Sequence, residues 1–395
     1  NADRPGKRGG TINRNEHVPR LRIYPHALRT DNAYYSPDKK ALLFGYFPAD
    51  SAHGDVTTPG STVFTCLSSD IIAHEMSHAL LDGLDRRLQE ASNPDVPAFH
   101  EAFADIVALF QHFTMRDLVE FEIAKTKGNL SAVTLLSGLA RQFGEGSGRA
   151  GPLRDYAEPA MAELDYDTTM RPHERGSILV IAVYEAFQKI VARRTEEQIT
   201  LATGGSGVLP IGALHPGLVK KLAIETSRAA AQVLSMCIRA LDYCPAVDIT
   251  FSEYLRAIIT ADLDAFPDDE LHYRLAFMES FQNWKLLPRD IRTTSEETIA
   301  WNMPADPSPK WLPGLLEKID LSWDLDLDRS EIFKLNEKNR WTMWNGLRAA
   351  FKADPSLLAE FGLLPDVPKY GRDGKVERPA RKGETTFDVF NVRPT

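Results

Sequence analysis

The chain has 395 residues, 46 Lys and Arg against 55 Asp and Glu, a formal net charge of −9 and 43% hydrophobic residues. This composition excludes a mainly disordered chain, and the acidic balance argues against nucleic acid as a partner, because phosphate binding needs clustered Lys and Arg. No apolar run approaches the roughly 20 residues that span a bilayer, so no membrane partner is expected, and at about 150 residues per domain the length predicts two or three domains.

The first 62 residues predict a loose arm followed by strands. Residues 1–20 are rich in Arg, Asn and Gly, and residues 18–29 alternate weakly, which predicts a strand. Two aromatic and apolar runs follow at 32–36 and 41–47, and the polar tetrapeptide between them predicts a β-hairpin. Residues 48–62 are rich in Gly, Pro, Ser and Thr and indicate a loop.

Helical patterns dominate from residue 68 onward. Ser68, Ser69 and Asp70 offer N-caps to a helix that ends near Gly83, and a Pro-rich break at 93–97 precedes a second, deeply buried helix. The predicted later helices are 98–115, 177–193, 216–242, 251–264 and 269–284. Prolines after residue 288 indicate a linker to a small appended region that begins near residue 312.

Cysteine usage bears on the compartment. Cys66, Cys237 and Cys244 are too few for a disulfide framework, and the six residues between the last two exceed the spacing of a zinc knuckle. Three buried free thiols are expected, which favours a reducing compartment such as the cytoplasm. Secretion stays an alternative, because a chain that opens with Asn1 is consistent with trimming of the N-terminus.

The sequence His-Glu-Met-Ser-His at residues 74–78 carries the clearest chemical signal. On a helix, residues four apart share a face, so His74 and His78 can offer two imidazole nitrogens to one metal ion. Glu75 lies beside them, where it can reach a metal-bound water instead of the metal. The alternative is a pair of ordinary helical histidines that face solvent or the core.

The buried helix after the Pro-rich break supplies two carboxylates. A catalytic zinc needs a third protein ligand, and Glu101 can take that position. Asp105 lies one turn further on and can accept the other ring N–H of a ligating histidine. Two carboxylates on so apolar a helix need a partner, because an unpaired buried charge is costly. The alternative is an N-terminal Glu favoured by the helix dipole, with an incidental Asp.

These two segments resemble the thermolysin-type gluzincin metallopeptidases, in which a His-Glu-x-x-His helix with a later Asp precedes a Glu-x-x-x-Asp helix. Asp82 matches the later Asp. Metzincins would need a third His in a His-x-x-Gly-x-x-His continuation, and gluzincin aminopeptidases usually carry an upstream Gly-x-Met-Glu-Asn motif; the sequence has neither motif. The resemblance implies one zinc per chain, held by His74, His78 and Glu101, with Glu75 as general base. It also implies that Asp105 and Asp82 support the ligand residues without binding the metal.

Further matches extend the resemblance over about residues 20–185. His173, just before an apolar helix, resembles the family histidine that stabilises the oxyanion, although Gly-Ser replaces the family's Ser-Gly order. Arg154 lies in a Leu-Arg-x-x-x-x-Pro stretch and would hold a substrate carbonyl. Asn32 and Ala33 resemble the edge strand that pairs with a peptide substrate. Alternatively, His173 is an ordinary histidine at the start of a helix, Arg154 is a surface arginine and the strand is a plain hairpin strand.

The chain departs from the family pattern at three points. The family's oxyanion tyrosine has no counterpart at 88–91, where Tyr156 or Tyr166 is a weak substitute. His100 replaces the family's Asn before the third ligand. The Asp that orients the oxyanion histidine is missing at its family position, and Asp167 is the nearest candidate. Calcium, common in the family, cannot be placed: Asp324, Asp326 and Asp328 alternate as in an EF-hand, but the loop's Gly and final Glu are absent.

These observations predict an α+β, zincin-like metallopeptidase with a mixed N-terminal lobe at 1–85, a largely helical lobe at 86–290 and an appended region at 291–395. The predicted function is zinc-dependent hydrolysis of peptide bonds in a peptide or protein substrate. The alternative function is a catalytically weak or inactive zincin-fold module that binds zinc and a protein partner. The sequence gives no oligomeric state.

Overall fold

The fold is known from a computed structural model. It describes residues 20–50, 58–129, 136–148, 152–157, 163–209, 211–303, 306, 309–320, 328–361, 363, 369–370 and 376–378. The chain divides into two compact units, the larger of which is Leu21–Trp301. The second unit comprises Asn302–Thr395 together with Asn1–Arg20. Residues 1–19 of the arm predicted at 1–20 lie outside the described residues, as do Asp324 and Asp326. The division predicted at residue 85 stays a prediction.

A small mixed sheet opens the larger unit. Its strands are β1 (Arg22–Leu28), β2 (Ala33–Ser36), β3 (Ala41–Pro48) and β4 (Thr62–Phe64). β3 lies in the centre, parallel to β1 and antiparallel to β2 and β4. The predicted hairpin is confirmed, since Ser36 pairs with Ala41 and Ala33 with Phe44. Because β3 is paired along both edges and buried, its residues form a nearly continuous apolar run. β2 lies at one edge of the sheet, and this edge faces the site described below.

Helices make up most of the larger unit and confirm an α+β architecture. They are α1 (Ser69–Leu84), α2 (Asp95–Phe110), α3 (Arg116–Thr126), α4 (Arg141–Gly146), α5 (Pro172–Ala202), α6 (Pro216–Arg239), α7 (Phe251–Ala265), α8 (Tyr273–Asn283) and α9 (Glu296–Ile299). A two-stranded ribbon joins β5 (Gly138–Leu139) to β6 (Arg154–Asp155). The six helices expected from the apolar patterns are all present as α1, α2 and α5–α8, whereas α3 was not predicted.

Helix boundaries follow local capping. The Ser68 hydroxyl accepts a hydrogen bond from the N–H of Ile71 at 3.4 Å and so begins α1 at the predicted place. The second helix begins three residues earlier than predicted, because the side chain of Asn93 accepts from the N–H groups of Asp95 and Val96. It also ends earlier, at Phe110, where a 3₁₀ turn replaces the last predicted turn.

α2 is the central helix of the core. Most of its side chains are buried, including Phe99, Phe103 and Ile106, and it packs between α1 and α5. Asp95 at its first turn ties three helices together: it accepts from the Arg175 guanidinium at 2.6 Å and from the N–H of Phe251 at 3.0 Å. The phenol of Tyr166 also donates to Asp95, at 2.6 Å. The N-termini of α2, α5 and α7 are therefore held at one point.

The second unit contains short elements and one long helix. These are α10 (Leu312–Leu316), α11 (Arg329–Ala353), α12 (Leu357–Glu360), β7 (Lys369–Tyr370) and β8 (Val376–Arg378). α11 begins with a capping box between Asp328 and Glu331, and its C-terminal part packs a small apolar cluster around Phe351. Within the described parts of the chain, no helix combines the length and apolar character needed to cross a bilayer.

The cysteines are free, as expected, but only one is fully buried. Cys237 is buried in α6, whereas Cys66 and Cys244 keep partial exposure. Cys244 donates its thiol to the carbonyl of Ala240 at 3.2 Å. None of these thiols lines the cleft described below.

The crossing of α2 and α5 gives the first test. Gly176 lies where the two backbones approach, and a Cβ there would come within 2.7 Å of the Ala98 carbonyl oxygen. We expect Gly176→Ala to lower the free energy of unfolding by roughly 1–3 kcal/mol, which is the usual cost of overpacking. Urea denaturation measures this change. Gly83→Ala in α1 is the control, since nothing lies within 4 Å of its added Cβ, and it should be neutral or stabilising. Equal stability of Gly176→Ala and the wild type would contradict this packing.

Candidate metal centre

Three side chains from α1 and α2 converge on one point. Nε2 of His74 and Nε2 of His78 lie 3.0 Å apart, and Oε2 of Glu101 lies 3.4 Å and 3.7 Å from them. Donor atoms bound tetrahedrally to zinc at their usual bond lengths are about 3.3 Å from one another. The donor set of two imidazoles and one carboxylate also suits zinc with an open position. These residues therefore fit the metal in both distance and chemistry.

One atom of this group lacks a hydrogen bond. Oε2 of Glu101 is buried, and among the described residues none donates to it with suitable geometry, although Nδ1 of His173 lies at 2.9 Å. A buried carboxylate oxygen without a donor is costly unless something else satisfies it. A cation between the three side chains would do so.

Each candidate histidine ligand makes a second contact through Nδ1, the ring nitrogen that is not at the centre. Nδ1 of His74 lies 2.7 Å from Oδ1 of Asp105, as the sequence predicted. Nδ1 of His78 lies 2.6 Å from Nδ1 of His100, a contact that the sequence analysis did not anticipate. Both Nε2 atoms are therefore left to face the centre, which is the orientation that outer partners normally enforce on metal-binding histidines.

The electrostatics of the centre favour positive charge. Burial lowers the pKa of His74, but the Asp105 carboxylate outweighs burial and the pKa rises to about 10. Burial raises the pKa of Glu101, yet His173 and His74 overcome it and hold the pKa well below its usual range. Burial and the charge on His74 lower the pKa of His78 to about 3, so His78 is neutral. The surrounding carboxylates thus stabilise a cation, either a proton on His74 or a metal ion.

Asp105 has further partners that explain how a carboxylate with 3% exposure is tolerated. Nε of Arg154 lies 3.0 Å from its Oδ2, and the buried phenol of Tyr156 donates a short hydrogen bond to the same oxygen. Burial raises the pKa of Asp105, but Arg154 and His74 outweigh it and lower the pKa. Arg154 is therefore no surface arginine: it belongs to the support of His74 and also lines the cleft.

Glu75 lies on the cleft side of α1, next to the ligands. Its Oε2 accepts the backbone N–H of Tyr35 in the edge strand β2 at 2.7 Å. Burial raises the pKa of Glu75 to about 7, although His74 and this N–H act in the opposite direction. A carboxylate with such a pKa can both accept and release a proton near neutral pH.

His173 lies at the first turn of α5, facing Glu101, and is largely exposed to the cleft. The prediction that Asp167 orients it is not supported by any contact in the described structure. Asp167 lies 3.6 Å from Nζ of Lys285 and receives no contact from His173 in the described structure. Nδ1 of His173 instead neighbours Glu101 and the Arg154 guanidinium, the latter at 3.3 Å. Nor does Tyr156 or Tyr166 line the cleft, because their hydroxyls bind buried aspartates.

Asp82 in α1 contacts the hairpin, whose edge strand lines the cleft. Asp82 accepts from the phenol of Tyr35 at 2.5 Å and from Nζ of Lys40 at 3.3 Å, so it joins α1 to the hairpin. Its support of the ligand residues stays a prediction. The side chain of Asn32 accepts from the N–H of Ala33 at 2.9 Å, and both residues line the cleft. Pairing of a substrate with this strand stays a prediction.

A second buried network positions the ribbon that carries Arg154. Asp70 in the first turn of α1 accepts from Nε2 of His112 at 2.8 Å and from the N–H of Ala140 at 2.7 Å. Ala140 follows β5 and has a left-handed φ of 50°, which is unfavourable for a residue with a Cβ. The Asp70 carboxylate holds this strained residue in place, and β5 in turn pairs with β6, where Arg154 lies.

One cleft of about 1070 Å³ lies between the edge strand, α1, α2, the ribbon and the start of α5. Its lining includes His74, Glu75, His78, Glu101, Arg154 and His173. Comparisons with protein-family models, with curated proteins and with solved structures find no match for this chain. Function is therefore inferred from the residues and their geometry.

The Asp70 network makes stability depend on pH. Burial raises the pKa of Asp70, but its contacts with His112 and Ala140 outweigh burial and hold the pKa below the ordinary 3.8. A lowered pKa means that Asp70 stabilises the fold above about pH 4 and that this contribution is lost as the pH falls through the folded-state pKa.

We therefore expect Asp70→Asn to lower the free energy of unfolding by about 1–3 kcal/mol at pH 7, the range for a hydrogen bond to a charged group, and by less at pH 3. Urea denaturation at the two pH values measures this. The exposed Asp268→Asn is the control and should change little at either pH. A pH-independent loss in Asp70→Asn would show that the charge of Asp70 has no part in holding Ala140.

Proposed function

We propose that this protein is a zinc-dependent endopeptidase with a zincin-like fold. The observation that carries the proposal is the convergence of His74, His78 and Glu101 at zinc-ligand spacing, with Glu75 beside them in the same cleft. The resemblance to thermolysin-type gluzincins points to the same residues. We expect one zinc per chain, and a peptide or protein segment as the substrate in the cleft.

The three ligand residues would hold zinc, which when bound lowers the pKa of its water toward about 7 and polarises a substrate carbonyl. Glu75 then acts as general base: it takes a proton from the attacking water and later gives it to the leaving amine. The N–H of Tyr35 keeps the carboxylate oriented toward the cleft.

His173 and Arg154 are placed to act on the substrate. His173 faces the cleft from the N-terminus of α5 and would donate a hydrogen bond to the oxygen that becomes negative in the transition state. Arg154 keeps its guanidinium between Asp105 and His173, and from there it would hold a substrate carbonyl. The edge strand with Asn32 and Ala33 would align the peptide by strand addition.

The alternative is a zincin-fold module that binds zinc and a protein partner without cleavage. Neither Tyr156 nor Tyr166, the two substitutes for the family's oxyanion tyrosine, is among the residues that line the described cleft, and this favours the module. A complete ligand set together with an oriented Glu75 favours catalysis. Casein hydrolysis, measured with and without 1,10-phenanthroline, separates the two. Cleavage that chelation abolishes and zinc restores supports the endopeptidase; zinc binding without cleavage supports the module.

Glu75→Gln tests the proposed base. The amide oxygen can still accept the Tyr35 N–H, so the shape and this hydrogen bond are kept while the basic oxygen is lost. We expect peptide hydrolysis to fall by a factor of about 10² or more, in line with the usual contribution of a general base, at unchanged zinc content. Glu197→Gln, an exposed change near the far end of α5, is the control and should keep full activity. Loss of zinc in Glu75→Gln would instead make Glu75 a ligand.

A further inference from the structure

A groove of about 550 Å³ lies between α6 and residues 110–116, which join α2 to α3. Its lining shares no residue with the cleft at the metal centre. The buried rings of Phe110 and Phe113 line it from one side, and Leu234 and the exposed Ile238 line it from α6. A mainly apolar lining and a volume of about 300–1000 Å³ are typical of sites for small ligands. The groove is therefore a candidate site for a ligand with an apolar body.

The charged residues that line this groove all have the same sign. They are Arg116, Arg228 and Arg239, and no Asp or Glu lines the groove in the described structure. Glu120 accepts from Arg116 at 3.0 Å and Glu225 accepts from Arg228 at 2.8 Å. Both arginines are more than half exposed, and exposed ion pairs of this kind hold their members weakly. Each guanidinium has five N–H donors, so both retain donors for a further anion.

Arg239 is the arginine whose hydrogen bonds are least complete. Its Nε is buried and has no hydrogen-bond partner in the described structure. Asp262 lies 3.6 Å from a terminal nitrogen of Arg239, whereas Arg274 binds the same carboxylate at 2.9 Å. The Arg239 guanidinium also lies over the ring of Phe266, 5.0 Å from its centroid. A buried N–H without an acceptor is costly, and a guanidinium can bind a carboxylate through two N–H groups at once. An anionic head group at Arg239 would supply the missing acceptor.

The spacing along α6 gives the groove a direction. Arg228 and Arg239 lie three helical turns apart, so they share a face and are separated by about 16 Å along the helix axis. Ala231, Leu234 and Ile238 lie between them and line the groove. We propose that the groove binds a free amphiphile with one alkyl chain and a carboxylate head. The head binds Arg239, and the chain lies along α6 toward Arg228.

Isothermal titration calorimetry with dodecanoate, kept below the concentration at which it forms micelles, tests the proposal. Dodecyltrimethylammonium has the same chain with a cationic head, and acetate has the head without the chain. We expect dodecanoate to bind saturably, one molecule per chain, and neither control compound to bind at the same concentrations. No binding of dodecanoate, or equal affinity for the cationic compound, would overturn the proposal. Sedimentation of the protein with phosphatidylglycerol vesicles in place of dodecanoate binding would also overturn it, because the groove would then recognise a membrane surface.

Arg239→Gln and Arg228→Gln form a matched pair, because each removes one guanidinium from the lining. A hydrogen bond to a charged group contributes about 10- to 100-fold to affinity, so we expect Arg239→Gln to weaken the Kd for dodecanoate by that factor. Arg228→Gln should weaken it by less than about fivefold, as expected for an exposed charge at the far end of the chain. Equal weakening in both variants, with unchanged unfolding midpoints, would contradict a head group at Arg239.

Ala231→Trp tests the position of the alkyl chain without removing a charge. Ala231 is exposed and lines the groove, so the fold tolerates an indole there and the indole occupies the space of the chain. We expect this variant to lose dodecanoate binding. Ala202→Trp, an equal change at the exposed end of α5, is the control and should keep the wild-type Kd. Unchanged binding in Ala231→Trp would overturn the proposal. None of these measurements involves zinc or a peptide, so their outcome is independent of the proposed endopeptidase.

Discussion

The burial of carboxylates on α2 is the constraint on which the rest of the site depends. Asp105 has 3% exposure on a helix that is otherwise almost wholly apolar, and Glu101 lies one turn away with a buried oxygen. An unpaired buried charge would cost several kcal/mol, so each carboxylate must face a cationic or hydrogen-bonding partner. Asp105 obtains Arg154, Tyr156 and His74. For Glu101, the proposed partner is a metal ion shared with two histidines.

The same constraint explains why so many elements meet at this point. α2 can present Glu101 accurately only if its own position is fixed, and Asp95 fixes it by binding the first turns of α5 and α7. The start of α5 in turn brings His173 opposite Glu101. On the other side, Asp70 fixes the strained Ala140 and, through the ribbon, the strand that carries Arg154. Rigid elements thus support each side of the cleft.

The sequence predicted the features that follow from the periodicity of a single helix or strand. It missed many features that depend on contacts between residues far apart in the chain. The spacing of His74, Glu75 and His78 needs only the helical period, and the hairpin needs only alternation around a polar turn. The contact between His78 and His100 depends instead on how α2 packs against α1, although a histidine beside Glu101 on an apolar helix was an available signal. Asp167 was chosen for its distance along the chain, whereas in the structure it lies 3.6 Å from Nζ of Lys285. The Asp70 and Asp95 networks join residues 42 to 156 positions apart, beyond the reach of local patterns.

The most direct test of this account is the position of zinc in crystals of the protein prepared with the metal. Anomalous difference maps recorded on both sides of the zinc absorption edge locate the ion without reference to activity. The account predicts one peak per chain, about 2.0–2.2 Å from Nε2 of His74, Nε2 of His78 and Oε2 of Glu101. A protein that takes up zinc but shows no peak between these three side chains, or shows it at Cys237 and Cys244 instead, would contradict it.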